Sequence, residues 1–538
     1  MKRERRARAA TPSTRLLQVL LAVAFGTVLS VVLLTGAEVL MRVFDLGPAP
    51  QRDALAGFAD GVPMFEPFEP AVGPAVYRAE NSRPGDRREF LQQKPGNGLR
   101  VFVVGGSSAA GVPYGRDYSF SGWLERRLSD RLPAHHVEVV NAAVSGYGSR
   151  RVLGVVREIA RYEPDLLIVY AGHNESSERQ FYAHLLGMDP RLFELWTAAA
   201  STRVFALAQT LLGMRAPPSF STETDDDAGL EAVNRPGQMF AKRQNVDASR
   251  EVDIPRARAY AQIHFEANLR EIAHTMRDAG ATVLFVSQTQ NYADWRPGAS
   301  LHDASLSPAQ RAEFDALLTE GDGTDCASRL VSLRRAEEID PGHAELHFEI
   351  ATCYRLLGDY AQARTHYLLA SDLDGIPVGA PSSYKRVIED VSVATGSLYL
   401  DVEPAIHEAA ERISNGLVGY DFVIDAMHPT LRAHQLIALA IVERLRAADS
   451  LLGDAAWREE AAAFPTPEEI LRREPGLAYQ ERLVRGLSCL LLEWNDCAQA
   501  EARAVLAVDS ANAGAKRLLA LARRQAEQPA ANPPARSR

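Results

Sequence analysis

The sequence is poor in cysteine and has no excess of basic residues. Four cysteines occur in 538 residues, and none has the CxxC spacing of zinc ligands, so the resident metal site that such spacing predicts is not expected. Cys489 and Cys497 can pair in an exported protein, or all four cysteines can be buried thiols. The formal net charge of −10 gives no argument for a nucleic-acid partner.

Common nucleotide and hydrolase motifs are absent as well. The chain has no Walker A loop, no GxGxxG fingerprint and no GxSxG elbow of the α/β-hydrolases. It has instead GGSSAAG at Gly105–Gly111, directly after the β-branched run Leu99–Val104, which is typical of a buried parallel strand. Ser107 is therefore expected at the carboxyl end of a strand, where open α/β sheets bind their ligands.

Two further blocks repeat this placement. His136–Val140 predicts a second strand that leads into a turn with Gly146, and Asp165–Tyr170 predicts a third that leads to Asn174. The amide of Gly146 and the carboxamide of Asn174 can donate hydrogen bonds to an oxyanion without carrying a charge. The alternative for Asn174 is a turn residue that caps the next helix.

A fourth block, DAMHPT, lies far downstream at Asp425–Thr430. A serine hydroxyl is a poor nucleophile until an imidazole accepts its proton, and the imidazole needs an acceptor on its other nitrogen. Asp425 precedes His428 by three residues on one short loop, so its carboxylate can orient the ring. The alternative is that Asp425 caps a helix and His428 is an ordinary surface residue.

In their order and local context, the four blocks resemble the SGNH (GDSL-like) hydrolase superfamily. The resemblance implies that Ser107 is the nucleophile, that His428 and Asp425 are the base and its orienting acid, and that Gly146 and Asn174 form the oxyanion hole. It implies neither a metal nor an organic cofactor. The usual Gly-Asp-Ser is Gly-Gly-Ser here, so the aspartate before the nucleophile is missing, but no catalytic group is lost.

The resemblance covers roughly 100–174 and 280–445. It implies an α/β fold with a doubly wound, parallel, five-stranded sheet of the flavodoxin-like type. The last two strands are predicted at Ala281–Ser287 and Ser397–Val402. His173 falls at a variable position of the family's G-x-N pattern and is left out of the catalytic set.

The N-terminus combines a basic flank with a long apolar run, Leu16–Ala37. The run is long enough to cross a bilayer as one helix, and the six basic residues before it predict a cytoplasmic N-terminus. Thr35–Ala37 offers a cleavage site, so a secretory signal is the alternative. Either way, the catalytic domain is predicted to be exported, to the periplasm or the outside of the cell.

Two regions carry small and aromatic residues at the spacing of tetratricopeptide (TPR) repeats. The first is Ala344–Asp374, and the second is a helix pair at Leu483–Asp509, where Ala500 and Ala507 keep the seven-residue spacing. Such hairpins leave a groove for a protein partner, or they pack on the catalytic domain or on each other. In the first region, the positions that fit the repeat are Ile350, Ala351, Tyr354, Gly358, Tyr360, Ala363, Tyr367 and Ala370.

The chain is predicted to be divided into eight segments. They are a basic cytoplasmic tail (1–15), a transmembrane helix (16–37), a linker (45–97), a first hydrolase part (98–292, with an insertion at 176–254), an inserted TPR-like region (293–376), a second hydrolase part (377–450), C-terminal TPR-like helices (465–524) and a disordered tail (525–538). Eight prolines favour the linker. The apolar stretch Leu192–Gly213 predicts packing helices, a lid over an acyl pocket or a membrane-surface segment.

The predicted function is that of a membrane-anchored serine esterase that cleaves acyl esters of lipids or saccharides. Two alternatives stay open. The same residues can transfer the acyl group to an envelope polysaccharide, and product analysis with an oligosaccharide acceptor separates transfer from hydrolysis. The chain can also be an interaction scaffold, in which a TPR-like groove carries the function and the triad is relict.

Overall fold

The β-branched runs of the sequence form a five-stranded parallel sheet. Its strands are β4 (Gly98–Gly105), β5 (His136–Asn141), β6 (Leu166–Tyr170), β7 (Thr282–Val286) and β8 (Leu398–Leu400). Their order is β5-β4-β6-β7-β8, and every neighbouring pair is parallel. The predicted parallel five-stranded α/β sheet is confirmed. Because the strand order reverses at β4 and β6, a crevice is expected beyond the carboxyl ends of these two strands.

The computed structural model describes residues 12–44, 46–48, 64–79, 88–175, 189–192, 195, 199, 202–212, 254–320, 325–375, 377–448, 452 and 455–527. Most of the predicted basic tail, most of the insertion at 176–254 and most of the C-terminal tail lie outside these residues. The chain divides into two units, Met1–Val62 with Met188–Glu223 and Pro63–Gly187 with Thr224–Arg538.

Helices precede, separate and follow these strands along the chain. They are α1 (Pro12–Val43), α2 (Ser107–Ala110), α3 (Phe120–Arg131), α4 (Ser149–Ile159), α5 (Arg203–Leu211), α6 (Ile254–Asp278), α7 (Pro308–Thr319), α8 (Cys326–Ile339), α9 (Ala344–Leu357), α10 (Tyr360–Leu373), α11 (Ser382–Thr395), α12 (Glu403–Ser414), α13 (Leu431–Arg446), α14 (Pro467–Arg473), α15 (Gly476–Leu491), α16 (Asn495–Val508) and α17 (Ala513–Glu527). Helix α3 packs against α13 in one layer, and α4 and α11 pack against α6 in the other.

The prediction of an extended linker at 45–97 is wrong for residues 64–79 and 88–91. Strands β1 (Phe65–Phe68), β2 (Val76–Ala79) and β3 (Glu89–Leu91) form a small antiparallel sheet. Pro67 lies within β1, which is an edge strand, and a residue without an N–H is tolerated there. Pro67 therefore lies at the edge of a folded element.

An aromatic cluster attaches this small sheet to the main one. Phe65 is 1% exposed, and its ring meets those of Phe90, Phe102 and Tyr162 at centroid distances of 5.2, 6.2 and 5.9 Å. The carboxylate of Glu158 on α4 accepts the backbone N–H of Phe65 at 3.0 Å. The sequence pattern missed this contact because the strands are too short to show a period of two.

Between β7 and β8, the described residues form helices α7–α11. Helices α9 and α10 make a hairpin around Gly358, whose φ of +82° lies in the left-handed region that glycine adopts without a steric penalty. Five of the positions that fit the repeat spacing are buried: Ile350, Ala351, Ala363, Tyr367 and Ala370.

At the C-terminus, α15 and α16 also pair, but on a different face from the one predicted. Ala500 and Ala507 are exposed, whereas Ala498, Ala502 and Val505 are buried. Alanine is frequent on both faces of α16, so its spacing alone gave no direction. Cys489 and Cys497 form a disulfide bond between the two helices. The sequence had left this pairing open.

The N-terminal unit contains one long apolar helix, α1. Its segment Leu21–Val43 has 23 residues and a mean hydropathy of 2.0, and none of the 18-residue window that defines it is buried. The segment is long and apolar enough to cross a membrane or to act as a signal. Near its end, Glu38 accepts the N–H of Val204 on α5 at 3.0 Å, so α5 packs against α1.

Replacement of Phe65 by alanine tests whether β1 is part of the folded domain. We expect Phe65→Ala to destabilise the domain by about 3–5 kcal/mol, because it removes a fully buried ring. The control is Phe68→Ala on the same strand, where the ring is 36% exposed and a much smaller loss is expected. Thermal unfolding of the two variants checks this, and equal midpoints would show that residues 64–68 do not stabilise the domain.

Candidate active site

Two glycines allow Ser107 to follow β4 directly. A Cβ on Gly105 would lie 2.1 Å from the carbonyl oxygen of Tyr170, so glycine is needed where β4 approaches the end of β6. A Cβ on Gly106 would lie 2.1 Å from Nδ2 of Asn174. Any side chain at residue 106, including the aspartate of the usual Gly-Asp-Ser, would collide with Asn174 in this arrangement. Glycine in place of the usual aspartate at residue 106 therefore leaves room for the side chain of Asn174.

The loop that carries His428 is closed by its own backbone. The N–H of Ile424 donates to the carbonyl of His428 at 2.7 Å, and that of Thr430 donates to the carbonyl of Phe422 at 2.9 Å. Inside the loop, Oδ1 of Asp425 accepts the N–H of His428 at 3.0 Å. The carboxylate thus shapes the same turn whose imidazole it faces.

Three of the predicted site residues meet in one chain of hydrogen bonds. Oγ of Ser107 lies 2.8 Å from Nε2 of His428, although the two residues are 321 positions apart. Nδ1 of His428 lies 2.7 Å from Oδ2 of Asp425. Asp425 is fully buried, and the other two side chains are 7–8% exposed. A hydroxyl, an imidazole and a carboxylate in this order can move a proton from the hydroxyl to the ring.

A second serine, Ser108, holds the turn that carries Ser107 against this loop. Oγ of Ser108 donates to the carbonyl of Met427 at 2.9 Å. From the other side, Nδ2 of Asn141 at the end of β5 donates to the carbonyl of Ala109 at 2.9 Å. These contacts fix α2 between β5 and the loop.

The charge of the site is concentrated on Asp425. Burial favours the neutral form of this carboxyl group, but the charge of His428 and the hydrogen bonds from His428, Met427 and Ser488 outweigh burial and hold the pKa of Asp425 below its usual range. The carboxylate is therefore ionised and can stabilise a protonated His428.

Two other histidines lie close by and stay neutral. Burial, with a smaller contribution from the charge of His428, lowers the pKa of both His173 and His434 to about 3. Neither ring nitrogen of His173 has a hydrogen-bond partner in the part of the chain that the structure describes. His173 is therefore unsuited to serve as a second base, in line with its omission from the predicted set.

The two predicted oxyanion donors differ in how closely they join the cluster. Asn174 lies against Gly106, next to Ser107, and its Nδ2 donates to the carbonyl of Tyr147 at 3.0 Å. An amide nitrogen carries two protons, so Asn174 retains a second one for another acceptor. Gly146 precedes Tyr147 in an exposed turn, with a φ of +79°. The bond from Asn174 thus ties this turn to the site.

Two side chains that the sequence pattern did not predict support the site, the half-buried Ser488 and the buried Glu175. Oγ of Ser488 on α15 donates to Oδ2 of Asp425 at 2.7 Å. No local pattern could have revealed this contact, because 63 residues separate the pair. Glu175 accepts the N–H and the hydroxyl of Ser149 at 2.7 and 2.8 Å, which fixes the start of α4. A charged residue directly after Asn174 at the end of a buried strand was a signal for this role.

Elsewhere, Glu337, His347 and His366 form a compact group of potential metal ligands between the inserted helices. Their ring nitrogens fit a network without an ion, since Nε2 of His347 lies 2.8 Å from the carbonyl of Pro341 and its Nδ1 lies 3.0 Å from Nδ1 of His366. Arg334 lies 3.4 Å from the remaining nitrogen of His366. A guanidinium at this position opposes a bound cation, so we assign no metal to this group.

A small polar cleft borders the loop at Ala426, beside the triad. It is a shallow recess, partly open to solvent, with a cavity volume of about 20 Å³ between the segment after β7 and the segment after α10. Its lining is mostly polar and includes one indole: Gln290, Asn291, Trp295, Arg296, Ser371, Asp374 and Gly379 contribute, with Pro297, Pro377, Val378 and Ala426.

A comparison with protein families finds a match for part of the chain. Residues 103–321 match the model of the GDSL-like Lipase/Acylhydrolase family. The match supports a GDSL-like acylhydrolase domain. It begins within β4, before Ser107, and ends before the loop with His428. Comparison with curated proteins finds no match.

Several solved structures are similar to about two thirds of this chain, each at a low TM-score. One is Axe2, an acetylxylan esterase from Geobacillus stearothermophilus, with 12% identity, a TM-score of 0.29 and coverage of 66% of this chain and 96% of that chain. Another is TesA, with 14% identity, a TM-score of 0.27 and coverage of 65% and 99%. A third is LAE5, an α/β hydrolase from the metagenome of Lake Arreo, Spain, with 11% identity, a TM-score of 0.29 and coverage of 66% and 97%.

The ionised state of Asp425 predicts a pH dependence of stability. The folded pKa lies below the unfolded value of about 3.9, so the carboxylate contributes stability that is present above that value and is lost as the pH falls through the folded pKa. Asp425→Asn cannot lose this contribution. We expect the wild type to unfold at a higher temperature near pH 7 and the gap to narrow towards pH ~3. A gap that stays constant with pH would contradict an ionised, stabilising Asp425.

Proposed function

We propose that this protein is a serine esterase that hydrolyses acyl esters through Ser107, His428 and Asp425. His428 accepts the proton of Ser107 as its oxygen attacks the ester carbonyl, and Asp425 stabilises the imidazolium that forms. His428 then protonates the departing alcohol, and water releases the acyl group from Ser107. The observation that carries the proposal is the 2.8 Å separation of Oγ and Nε2, with the carboxylate on the far side of the ring.

In this proposal, Asn174 and Gly146 donate hydrogen bonds to the negatively charged oxygen of the tetrahedral intermediate. The second amide proton of Asn174 is the donor, and the first stays on Tyr147. Donors of this kind lower the activation barrier by a few kcal/mol each. The position of Asn174 against Gly106 supports its part, and the tie between Asn174 and the turn of Gly146 supports the pairing.

The substrate we favour is an acylated saccharide over an acyl lipid. The cleft at Ala426 is lined by amide, carboxylate and guanidinium groups, which suit the hydroxyl groups of a sugar. A lipid chain would meet a mostly polar lining there and would therefore bind at a cost.

We also propose that α1 anchors the protein in a membrane and that the catalytic unit is exported. The apolar length of Leu21–Val43 and the basic residues before it support an N-terminus in the cytoplasm. The bond between Cys489 and Cys497 supports an oxidising compartment. Leu211 and Leu212, which are more than 70% exposed, support contact of α5 with the membrane surface.

The helix pairs α9–α10 and α15–α16 remain interpreted as TPR-like. Their burial within the larger unit supports packing on the catalytic domain more than capture of a protein partner. Apolar residues of α15 and α16 share one cluster with Ala426, which belongs to the loop that carries His428. A scaffold with a relict triad would not need this attachment.

Replacement of Ser107 by alanine tests the proposed function. We expect kcat/KM for p-nitrophenyl acetate to fall at least ~1,000-fold, because the acyl-enzyme can no longer form. The matched control is Ser108→Ala, which removes a neighbouring buried hydroxyl and leaves the nucleophile in place. A folded Ser107→Ala variant that keeps its activity, or a Ser108→Ala variant that loses as much, would refute Ser107 as the nucleophile.

Hydrolysis and transfer differ in the fate of the acyl group. With an acetylated donor and an oligosaccharide acceptor, we expect free acetate in equal amounts to the alcohol released, because water is the acceptor in the proposed reaction. Mass spectrometry of the oligosaccharide checks this. Acetylation of the oligosaccharide that depends on Ser107 would assign the protein as an acyltransferase instead.

A further inference from the structure

The C-terminal helix α15 reaches the candidate active site with three side chains on one face. Glu481, Arg485 and Ser488 are spaced by four and three residues, so they project from the same side of the helix. Oε1 of Glu481 accepts the hydroxyl of Tyr114 at 2.6 Å, in the segment that follows α2. Nε of Arg485 donates to the carbonyl of Ile424 at 2.6 Å. One helix thus contacts both segments that carry the proposed triad.

The third of these side chains touches the triad itself. Oγ of Ser488 donates to Oδ2 of Asp425 at 2.7 Å, and this is the oxygen that also faces Nδ1 of His428. Oδ1 of the same carboxylate accepts the N–H groups of Met427 and His428. Both oxygens of the carboxylate are therefore held. Ser488 is the member of this set that comes from outside the loop.

Helix α15 is itself held firmly. The disulfide Cys489–Cys497, one residue after Ser488, joins it to α16. Arg485 pairs with Glu501 of α16 at 3.2 Å, and its guanidinium lies 4.1 Å from the ring centre of Tyr420. The hydroxyl of Ser488 is thus presented to the carboxylate by a braced element.

We infer that Ser488 is a positioning residue of the active site, and that the C-terminal helices complete the catalytic apparatus rather than form a separate module. This inference rests on the proposed function of Ser107, His428 and Asp425. Ser488 keeps Oδ2 of Asp425 aimed at the ring and shares its negative charge. The base then holds its proton less tightly and returns it more readily to the departing alcohol.

The test compares Ser488→Ala with Ser488→Thr, which keeps the hydroxyl, in the full chain in detergent micelles. The control is Ser392→Ala, since Ser392 is more deeply buried than the half-buried Ser488 but donates to a neutral carbonyl within α11. For p-nitrophenyl acetate, we expect Ser488→Ala to lower kcat by roughly 10-fold with little change in KM. Ser488→Thr is expected to restore most of this loss, and Ser392→Ala is expected to have near wild-type kinetics.

A second readout is the pKa of His428, measured by NMR of ¹³Cε1-labelled histidine and assigned with His428→Gln. Loss of the Ser488 donor concentrates charge on Oδ2, which favours the protonated ring. The pKa of His428 should therefore rise by roughly half a unit in Ser488→Ala, and the acid limb of kcat/KM should move up with it.

The ionisable groups around the base do not obscure this comparison. His173, in the segment after β6, and His434, on α13, face it and remain neutral, because burial lowers the pKa of each to about 3. From α15, Arg485 and Glu481 approach, and from the loop itself Tyr420, whose pKa burial raises to about 12. All five groups are present in the wild type and in Ser488→Ala. The difference in the pKa of His428 between these two proteins therefore reports the effect of Ser488.

Two outcomes would overturn the inference. One is an unchanged His428 pKa in Ser488→Ala, and the other is a loss of kcat in Ser392→Ala equal to that in Ser488→Ala. If Ser488→Ala does not fold, Ser488→Cys, a weaker donor of similar size, replaces it in both measurements. A wild type without Ser107-dependent hydrolysis would instead refute the proposed function, and the His428 titration would still decide whether Ser488 acts on the carboxylate.

Discussion

The contact between Ser107 and His428 is the constraint on which the rest of the structure depends. It joins the end of β4 to a loop 321 residues later, and both sides are built to permit it. Gly105 and Gly106 leave room for the serine turn against β6 and Asn174. On the other side, Asp425 fixes the backbone and the ring of its own loop. Parallel strands supply the remaining condition, because their carboxyl ends meet at one edge of the sheet.

The helices inserted between β7 and β8 and the C-terminal helices pack on the loop of Asp425 and His428 from two directions. From the segment after β7, Asp294 accepts the N–H of Tyr420 at 2.9 Å and pairs with Arg355 of α9 at 2.7 Å. A Cβ on Gly419 would lie 2.0 Å from the same carboxylate, so the approach is close. From the C-terminus, α15 and α16 bury Ala426 within their own apolar cluster. The loop that carries His428 is thus enclosed by the inserted helices and by the C-terminal helices.

Much of the fold and the core of the candidate site could be predicted from the sequence, because their signals are local. A β-branched run predicts a buried strand, and Asp425 and His428 share one short loop. The small sheet β1–β3 gave no such signal, since its strands have three or four residues and one contains Pro67. The buried face of α16 could not be read from alanine spacing. Ser488 was out of reach for another reason, because its contact exists through tertiary packing alone.

The central claim is that the hydroxyl of Ser107 is activated by His428. The most direct measurement is to treat the protein with a fluorophosphonate and to locate the adduct by peptide mass spectrometry. Ser107 and Ser108 are adjacent, buried and chemically alike, yet His428 contacts the first and the carbonyl of Met427 the second. The account predicts an adduct on Ser107 and none on Ser108. An adduct on Ser108, or none on either serine in the folded protein, would contradict it.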